Sequence, residues 1–434
     1  MRVPVILALP SDLGRLRGAP VPPVGFEMDS AARPVPIGPS RRGLVSTKML
    51  SESDTDRVAV RGTVEAARLE DVPEQMGGAD VFSDPPLTLF RACYDDPAVG
   101  ERADVERLLD LAKLRAAGLD GQGVAVAIVD NGINVGALAG LLGCSPAFDA
   151  ANSWTPPGGM VPPGQYPVGH GTLCAYSALI AAPGATLLDM PGLAPTGQGG
   201  STIAPTLSSA LLAYAHLLAF WAVAFSPTGA GKYGALVVSN SWGMPNPALD
   251  FPPGHPGRYG DNPNHPFNVV TAALARANAD ILFAGGNCGT DCPMQICPVD
   301  GKDTIAGAAA LSEVLTVAGC DTTDRRVGYS SQGPAPAGMP GQKPDLAGYT
   351  HFRGSELEGP GMPDRGTSVA CPLTAGCIAA IRTKVRRDRV PSADLFRRFR
   401  QAARPVEGQA GRNDDVGHGM VDPVAVARSL GIPV

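Results

Sequence analysis

The feature that most constrains this chain is a series of short, unbroken apolar runs separated by segments of helical pattern, starting near residue 120. Val124–Val129 is wholly apolar and is followed by an acid, and the mainly apolar runs at 185–189, 235–239, 281–284 and 314–318 continue the series. A run without polar alternation reads as a strand covered on both faces. Helical patterns at 203–225 and 269–279 fall between these runs and supply the cover. The alternation predicts an α/β fold in which a mostly parallel central sheet lies between two helical layers. In such sheets the functional groups gather just beyond the carboxyl ends of the strands.

Residues 1–113 differ in character and predict a small α+β region, leaving 114–434 as the main domain. Strands are expected at 3–9 and 57–64, a helix at 65–75, and a further strand at 79–82 before Asp84-Pro85-Pro86 interrupts it. A Pro- and Arg-rich stretch, 18–42, reads as a loop, and 104–117 as one amphipathic helix. The opening apolar run is broken by Pro4 and reads as a strand rather than an export signal, which predicts a cytoplasmic protein or export by a non-standard route. The longest later apolar stretch, 210–225, contains His216 and falls short of a membrane span. Thirty-five basic against 41 acidic residues give a net charge of −6, with no basic cluster to track a phosphate backbone, so nucleic acid is not an expected partner. Nucleotide-binding signatures are missing too: there is no G-x-x-x-x-G-K-[ST], and no G-x-G-x-x-G follows the first main-domain strand.

Four segments carry chemistry. Asp130-Asn131-Gly132 follows the first buried strand, where an Asp is as well explained by a turn as by catalysis. His170-Gly171-Thr172 opens a helix of small residues, with Thr172 the expected N-cap. Gly366-Thr367-Ser368-Val369-Ala370-Cys371-Pro372 opens another, with Pro372 expected in its first turn. A serine there faces unsatisfied N–H groups and the positive end of the helix dipole. Gly286-Asn287 ends the strand at 281–284 and offers either a side-chain amide donor or a turn residue.

In this order and spacing the four segments resemble the subtilisin-like serine peptidases, the subtilases, whose motifs run Asp-(Ser/Thr)-Gly, His-Gly-Thr, Gly-Asn and Gly-Thr-Ser-x-x-x-Pro. The resemblance covers roughly residues 115–425 and includes lesser matches at 239–243, 329–334, 343–348 and 417–423. It implies a subtilisin-like three-layer fold and a serine endopeptidase acting on a peptide or protein substrate. Ser368 would be the nucleophile, His170 the general base and Asp130 its orienting carboxylate, with Asn287 in the oxyanion hole. Ser241-Trp242-Gly243 would pair with an extended substrate, with Trp242 packed either on the substrate or in the core. The competing reading is an inactive fold of the same family used for binding or regulation. Asn131 departs from the family's Ser or Thr, while Cys371 and Cys377 read as packing residues.

Four expectations remain. Nine cysteines leave at least one thiol unpaired within the chain, and Cys288, Cys292 and Cys297 crowd the loop after Asn287. Their spacing favours a loop-stiffening disulfide or free thiols over zinc, for which His255 or His265 would be the fourth ligand. No cofactor is expected: some relatives bind calcium, but Asp321, Asp324 and Asp345 read equally well as solvated. The N-terminal region is either a propeptide, with 83–89 as a tail that blocks the cleft as an intramolecular inhibitor, or a permanent accessory domain. A Pro/Gly/Asn-rich insertion, 244–268, is expected to form a rim loop that narrows substrate choice.

Overall fold

A computed structural model describes residues 1–10, 25–30, 32–37, 57–72, 79–89, 97–198, 201–203, 205–225, 231–244, 246–298 and 300–434. Most of the expected loop at 18–42, and residues 73–75 of the expected helix, lie outside these ranges. The described part of that helix is a single 3-10 turn, Ala66–Arg68.

The N-terminal region forms an antiparallel sheet. β1 (Arg2–Pro10) lies between β4 (Arg57–Glu65) and β5 (Asp80–Ser83), and the short strands β2 (Phe26–Met28) and β3 (Val35–Pro36) pair with β4. Alternation along β1 divides its side chains between two cores. Val5, Leu7 and Leu9 pack within this region, while Ile6 and Ala8 join the core of the main domain. Beyond β5, the two-residue strand β6 (Thr88–Leu89) leaves this sheet for another partner.

The main sheet has six strands, all parallel: β7 (Val124–Val129), β8 (Thr186–Met190), β11 (Ala235–Asn240), β13 (Asp280–Ala284), β14 (Leu315–Cys320) and β15 (Leu346–Tyr349). Strand β12 (Trp242–Gly243) follows β11 outside this sheet, and β9 (Thr196–Gln198) with β10 (Ser201–Ile203) forms a separate hairpin. The spatial order β15-β14-β13-β11-β7-β8 makes β7 the point from which the chain winds in both directions. Its carboxyl end is therefore the crevice where ligands of such sheets bind.

Helices cover both faces. On one face lie α1 (Arg102–Leu108), α2 (Leu111–Ala116), α4 (His170–Ala181), α7 (Thr367–Arg382), α8 (Ser392–Ala402) and α9 (Pro423–Ser429), in one core with Val124, Val126 and Ile128 of β7. Helix α3 (Val135–Leu142) contributes Leu138 to the same core. On the other face α5 (Leu207–Ala224) and α6 (Pro266–Arg276) pack against Ala125, Ala127 and Val129. By length and composition α5 is apolar enough to cross a membrane, but Leu211, Tyr214, Leu217, Leu218 and Trp221 are buried in the protein.

The single helix expected at 104–117 is two, broken at Leu109-Asp110, where Asp110 adopts a left-handed φ of 52°. Val105, Leu109 and Leu111 sit in the main core together with Leu114, although the expected division at residue 113 assigned the first three to the N-terminal region. The apolar periodicity was sound, but an aspartate that tolerates left-handed geometry allowed a break.

Candidate active site

Asp130 stands at the carboxyl end of β7 and is 1% exposed. Its two carboxylate oxygens lie 2.9 and 3.0 Å from His170 Nδ1, and Oδ1 also accepts the Asn131 N–H at 2.8 Å. The turn that carries Asp130 is tied to the helix that carries His170. Asn131 Oδ1 accepts the Gly171 N–H at 2.9 Å, so an amide does the tethering where the family uses a hydroxyl. Gly132 has φ 105°, and a Cβ there would lie 2.1 Å from the Tyr166 ring, so both conformation and space demand glycine.

His170 is the first residue of α4, with Gly169 at the N-cap. Thr172 is therefore not the cap: it sits inside the first turn, where its Oγ1 accepts the Asn134 N–H at 3.0 Å. Glycine frees the entry angle into the helix, and the hydroxyl serves the neighbouring turn instead.

Ser368 is the second residue of α7, a helix buried along its whole length. Pro372 lies in the second turn, not the first as expected, and this has a local consequence. Proline has no N–H, so the Ser368 carbonyl four residues earlier loses its helical donor. That carbonyl instead accepts from Ser241 Oγ at 3.1 Å and from Cys174 Sγ at 3.4 Å, while Ser368 Oγ donates to the Ser241 carbonyl at 3.4 Å. Gly376, one turn further on, is a contact residue: a Cβ there would lie 2.2 Å from the Ala178 carbonyl oxygen of α4. The helices bearing His170 and Ser368 thus meet backbone to backbone.

Cys174, one turn after His170, sits at the junction. Its sulfur lies 3.6 Å from Asp130 Oδ2, 3.7 Å from His170 Nδ1 and 3.4 Å from the Ser368 carbonyl oxygen. One atom thus touches the Asp130 carboxylate, the His170 ring and the main chain of Ser368. Burial, followed by the Asp130 charge, pushes the Cys174 thiol well above its ordinary pKa, and burial raises Cys371 to about 12. Both are neutral packing groups at physiological pH. Asp130, His170 and Cys174 are the one group of potential metal donors within 4.8 Å of one another among the described residues, and the carboxylate and imidazole are already committed to each other.

Asn287 follows β13 and is fully buried. Its Oδ1 accepts both the N–H and the hydroxyl of Thr367, each at 3.0 Å, and Thr367 Oγ1 accepts the Gly286 N–H at 3.0 Å. With the oxygen end fixed beside the residue preceding Ser368, the donor end of the amide is set in a known direction. The loop that follows is covalently closed: Cys288 and Cys297 form a disulfide, and Cys292 is disulfide-bonded as well. With all three sulfurs in disulfides, the loop offers no thiolates for a zinc site. His265 donates from Nε2 to the Ser83 carbonyl at 2.9 Å and accepts the Phe267 N–H, and His255 Nδ1 accepts the Gly257 N–H.

Trp242 resolves to the core. Its indole N–H donates to the Val129 carbonyl at 2.9 Å, its ring packs on Phe267 and Phe283, and it is 1% exposed. The main chain at Trp242-Gly243 does pair with an extended strand, and that strand is β6 of this same chain, with Leu89 opposite Trp242 and Thr88 opposite Gly243. On its other side the segment bonds to the start of α5, through Leu87 N–H to the Pro205 carbonyl and Leu207 N–H to the Pro85 carbonyl. Asp84 accepts from Ser208 N, Ser208 Oγ and Thr206 Oγ1 at 2.7–3.0 Å, with Arg61 3.8 Å away. Burial raises the Asp84 pKa against the pull of Arg61 and these donors.

The insertion at 244–268 grips the same segment. Ser83 N–H donates to the Gly257 carbonyl at 2.9 Å, and Ser83 Oγ to Asp250 at 2.6 Å. Its visible role is to hold the N-terminal region, which the Pro/Gly/Asn composition could not indicate. Asp345 is buried against Lys343 and Arg400, not solvated, and Asp324 is paired with Arg404.

Comparison with known proteins agrees with this geometry. The model of the family described as "Subtilase family" matches residues 121–419. A "Calcium-dependent protease" from Trichormus variabilis is 26% identical over 347 residues, which cover 72% of this chain and 47% of that protein. The "Membrane-bound transcription factor site-1 protease" of Homo sapiens is 30% identical over 165 residues, 37% of this chain and 14% of that protein. The chain spans about half the length of the first of these relatives. Among solved structures, MycP1 from the ESX-1 type VII secretion system is 17% identical with a TM-score of 0.49, covering 79% of this chain and 91% of that one.

Proposed function

The chain belongs to the subtilase family, and from that premise we propose that it is a serine endopeptidase with Asp130, His170 and Ser368 as its triad. The observation that carries this reading is the meeting of all three residues around the Cys174 sulfur, beneath a helix start and beside an amide whose oxygen is already occupied. His170 takes the Ser368 proton as the hydroxyl attacks a peptide carbonyl, then passes it to the leaving amine. Asp130 holds Nδ1–H and stabilises the imidazolium. The Asn287 amide and the Ser368 N–H receive the oxyanion. Substrate is held by main-chain pairing with Trp242-Gly243, with no contact from the buried indole. A fluorophosphonate probe should label Ser368 once the N-terminal region is detached, and Ser368→Ala should abolish both labelling and peptide cleavage. Labelling that persists in the alanine form refutes the assignment.

The N-terminal region is read as an intramolecular inhibitor, because residues 85–89 lie between β12, the proposed substrate partner, and the extended segment at 205–207. N-terminal sequencing of the parent and of the Ser368→Ala protein tests self-processing: identical starts exclude it. The disulfide at Cys288–Cys297 supports folding in an oxidising compartment rather than in the reducing cytosol. Counting alkylatable thiols in protein recovered from its native source tests this. No calcium requirement is proposed, since Asp324 and Asp345 spend their carboxylates on cationic side chains.

A further inference from the structure

Behind the proposed triad lies a second buried carboxyl group that the chemistry above does not use. Asp189, on β8, is fully buried. Its Oδ2 accepts the Ile133 N–H at 3.2 Å and the Gly164 N–H at 2.8 Å. Oδ1 is buried and has no hydrogen-bond partner among the described residues. Ile133 is three residues after Asp130 in the turn tethered to α4, and Tyr166 N–H returns to the Ile133 carbonyl at 3.1 Å. One carboxyl oxygen therefore joins the Asp130 turn to the loop behind it.

Resting on the peptidase reading above, we propose that Asp189 is a positioning residue for the triad: it pins the Asp130 turn through main-chain N–H groups and, when it ionises, raises the proton affinity of His170. Among the described residues, Asp130, at the end of β7, is the only charged side chain acting on it. Tyr166, from the adjoining loop, faces it as a neutral phenol, pushed up to about 12 by burial and then by Asp189. Burial holds the Asp189 carboxyl at about 7, with the two N–H donors opposing and the Asp130 charge adding to the shift. Below that pH, Asp130 is the only anion behind the imidazole. Above it, a second negative charge stabilises the imidazolium, and more alkaline conditions are needed before His170 can act as a base.

Two substitutions separate anchoring from charge. Asp189→Asn keeps an acceptor oxygen for both N–H groups and cannot ionise. Asp189→Leu removes the acceptor as well. Histidine titration by NMR in the full-length Ser368→Ala chain, repeated with Asp189→Asn, should show His170 proton affinity falling about two- to tenfold. In the active chain the acid limb of kcat/KM should move to lower pH by the matching amount. Asp189→Leu should additionally lower kcat at every pH, with KM changed less. A His170 titration unmoved by Asp189→Asn overturns the charge effect, and an Asp189→Leu enzyme matching Asp189→Asn overturns the anchoring. Because the NMR readout needs no turnover, a protein that cleaves nothing while His170 still shifts would sink the peptidase reading and leave this inference standing. Should Asp189→Leu fail to fold, the Asp189→Asn titration still decides the charge effect.

Discussion

At the scale of single residues, each proposed role depends on what holds the neighbouring atom. Asn287 is useful as a donor because Thr367 occupies its oxygen. Asn287→Ala should lower kcat by about 10²–10³-fold with KM little changed, a magnitude known from the subtilisin oxyanion asparagine. Steady-state kinetics on a peptide substrate checks it, and an equal loss in both parameters would instead indicate collapse of the loop. Much of this level was legible in the sequence, because Asp130, His170, Ser368 and Asn287 each follow a strand or open a helix in recognisable company. Cys174 and Asp189 were not. The first sits one turn past His170, a spacing that gains meaning only when a second helix brings the Ser368 carbonyl to it. The second is an acid inside an apolar strand, and nothing local shows that a turn 56 residues earlier would need its oxygen.

At the scale of elements, the contact between α4 and α7 sets the distance between His170 and Ser368, the proposed base and nucleophile. Gly376→Ala would drive a methyl to within 2.2 Å of a backbone oxygen, which cannot move as a side-chain tip can. Overpacking of this kind costs about 1–3 kcal/mol, so a lower melting temperature and reduced kcat should appear together. The insertion at 244–268 carries a pH dependence of its own. Burial depresses His265 to about 4, so the folded protein keeps it neutral while the unfolded chain takes up a proton between pH 6.5 and 4. Its stabilising contribution is complete above pH 6.5 and is lost as the pH falls, by about 3 kcal/mol. Asp189 and Asp364, held by burial at about 7 and about 6, work in the opposite sense, losing stability as the pH rises from about 4. The diagnostic quantity is therefore the unfolding free-energy difference between parent and His265→Gln, which should shrink from pH 7 to pH 4. The apolar runs foretold five of the six main strands closely, because a fully covered strand leaves little room for polar residues, and only β15 (Leu346–Tyr349) was not among them. The break at Asp110 and the second-turn placement of Pro372 escaped, since each turns on a single backbone choice that pattern does not record.

At the scale of the whole molecule, the N-terminal sheet and the main domain share one core through Ile6 and Ala8, and the insertion adds a polar grip at Ser83. Gly257 is the tightest point of that grip: a Cβ would lie 1.9 Å from the Val81 carbonyl oxygen. Gly257→Ala should loosen the N-terminal region and leave the main domain folded, read as faster protease clipping before residue 97 and earlier appearance of peptide cleavage. Unchanged clipping would mean that the shared core alone holds the region. On the inhibitor reading proposed above, residues 85–89, which pair with Trp242-Gly243 and bond to the main chain at 205–207, would make the onset of turnover a matter of departure rather than encounter. On that reading a freshly made molecule would stay quiet among abundant targets, and its lag before the first cut would not shorten however much peptide is added, because the clock would be a first-order release from its own ribbon.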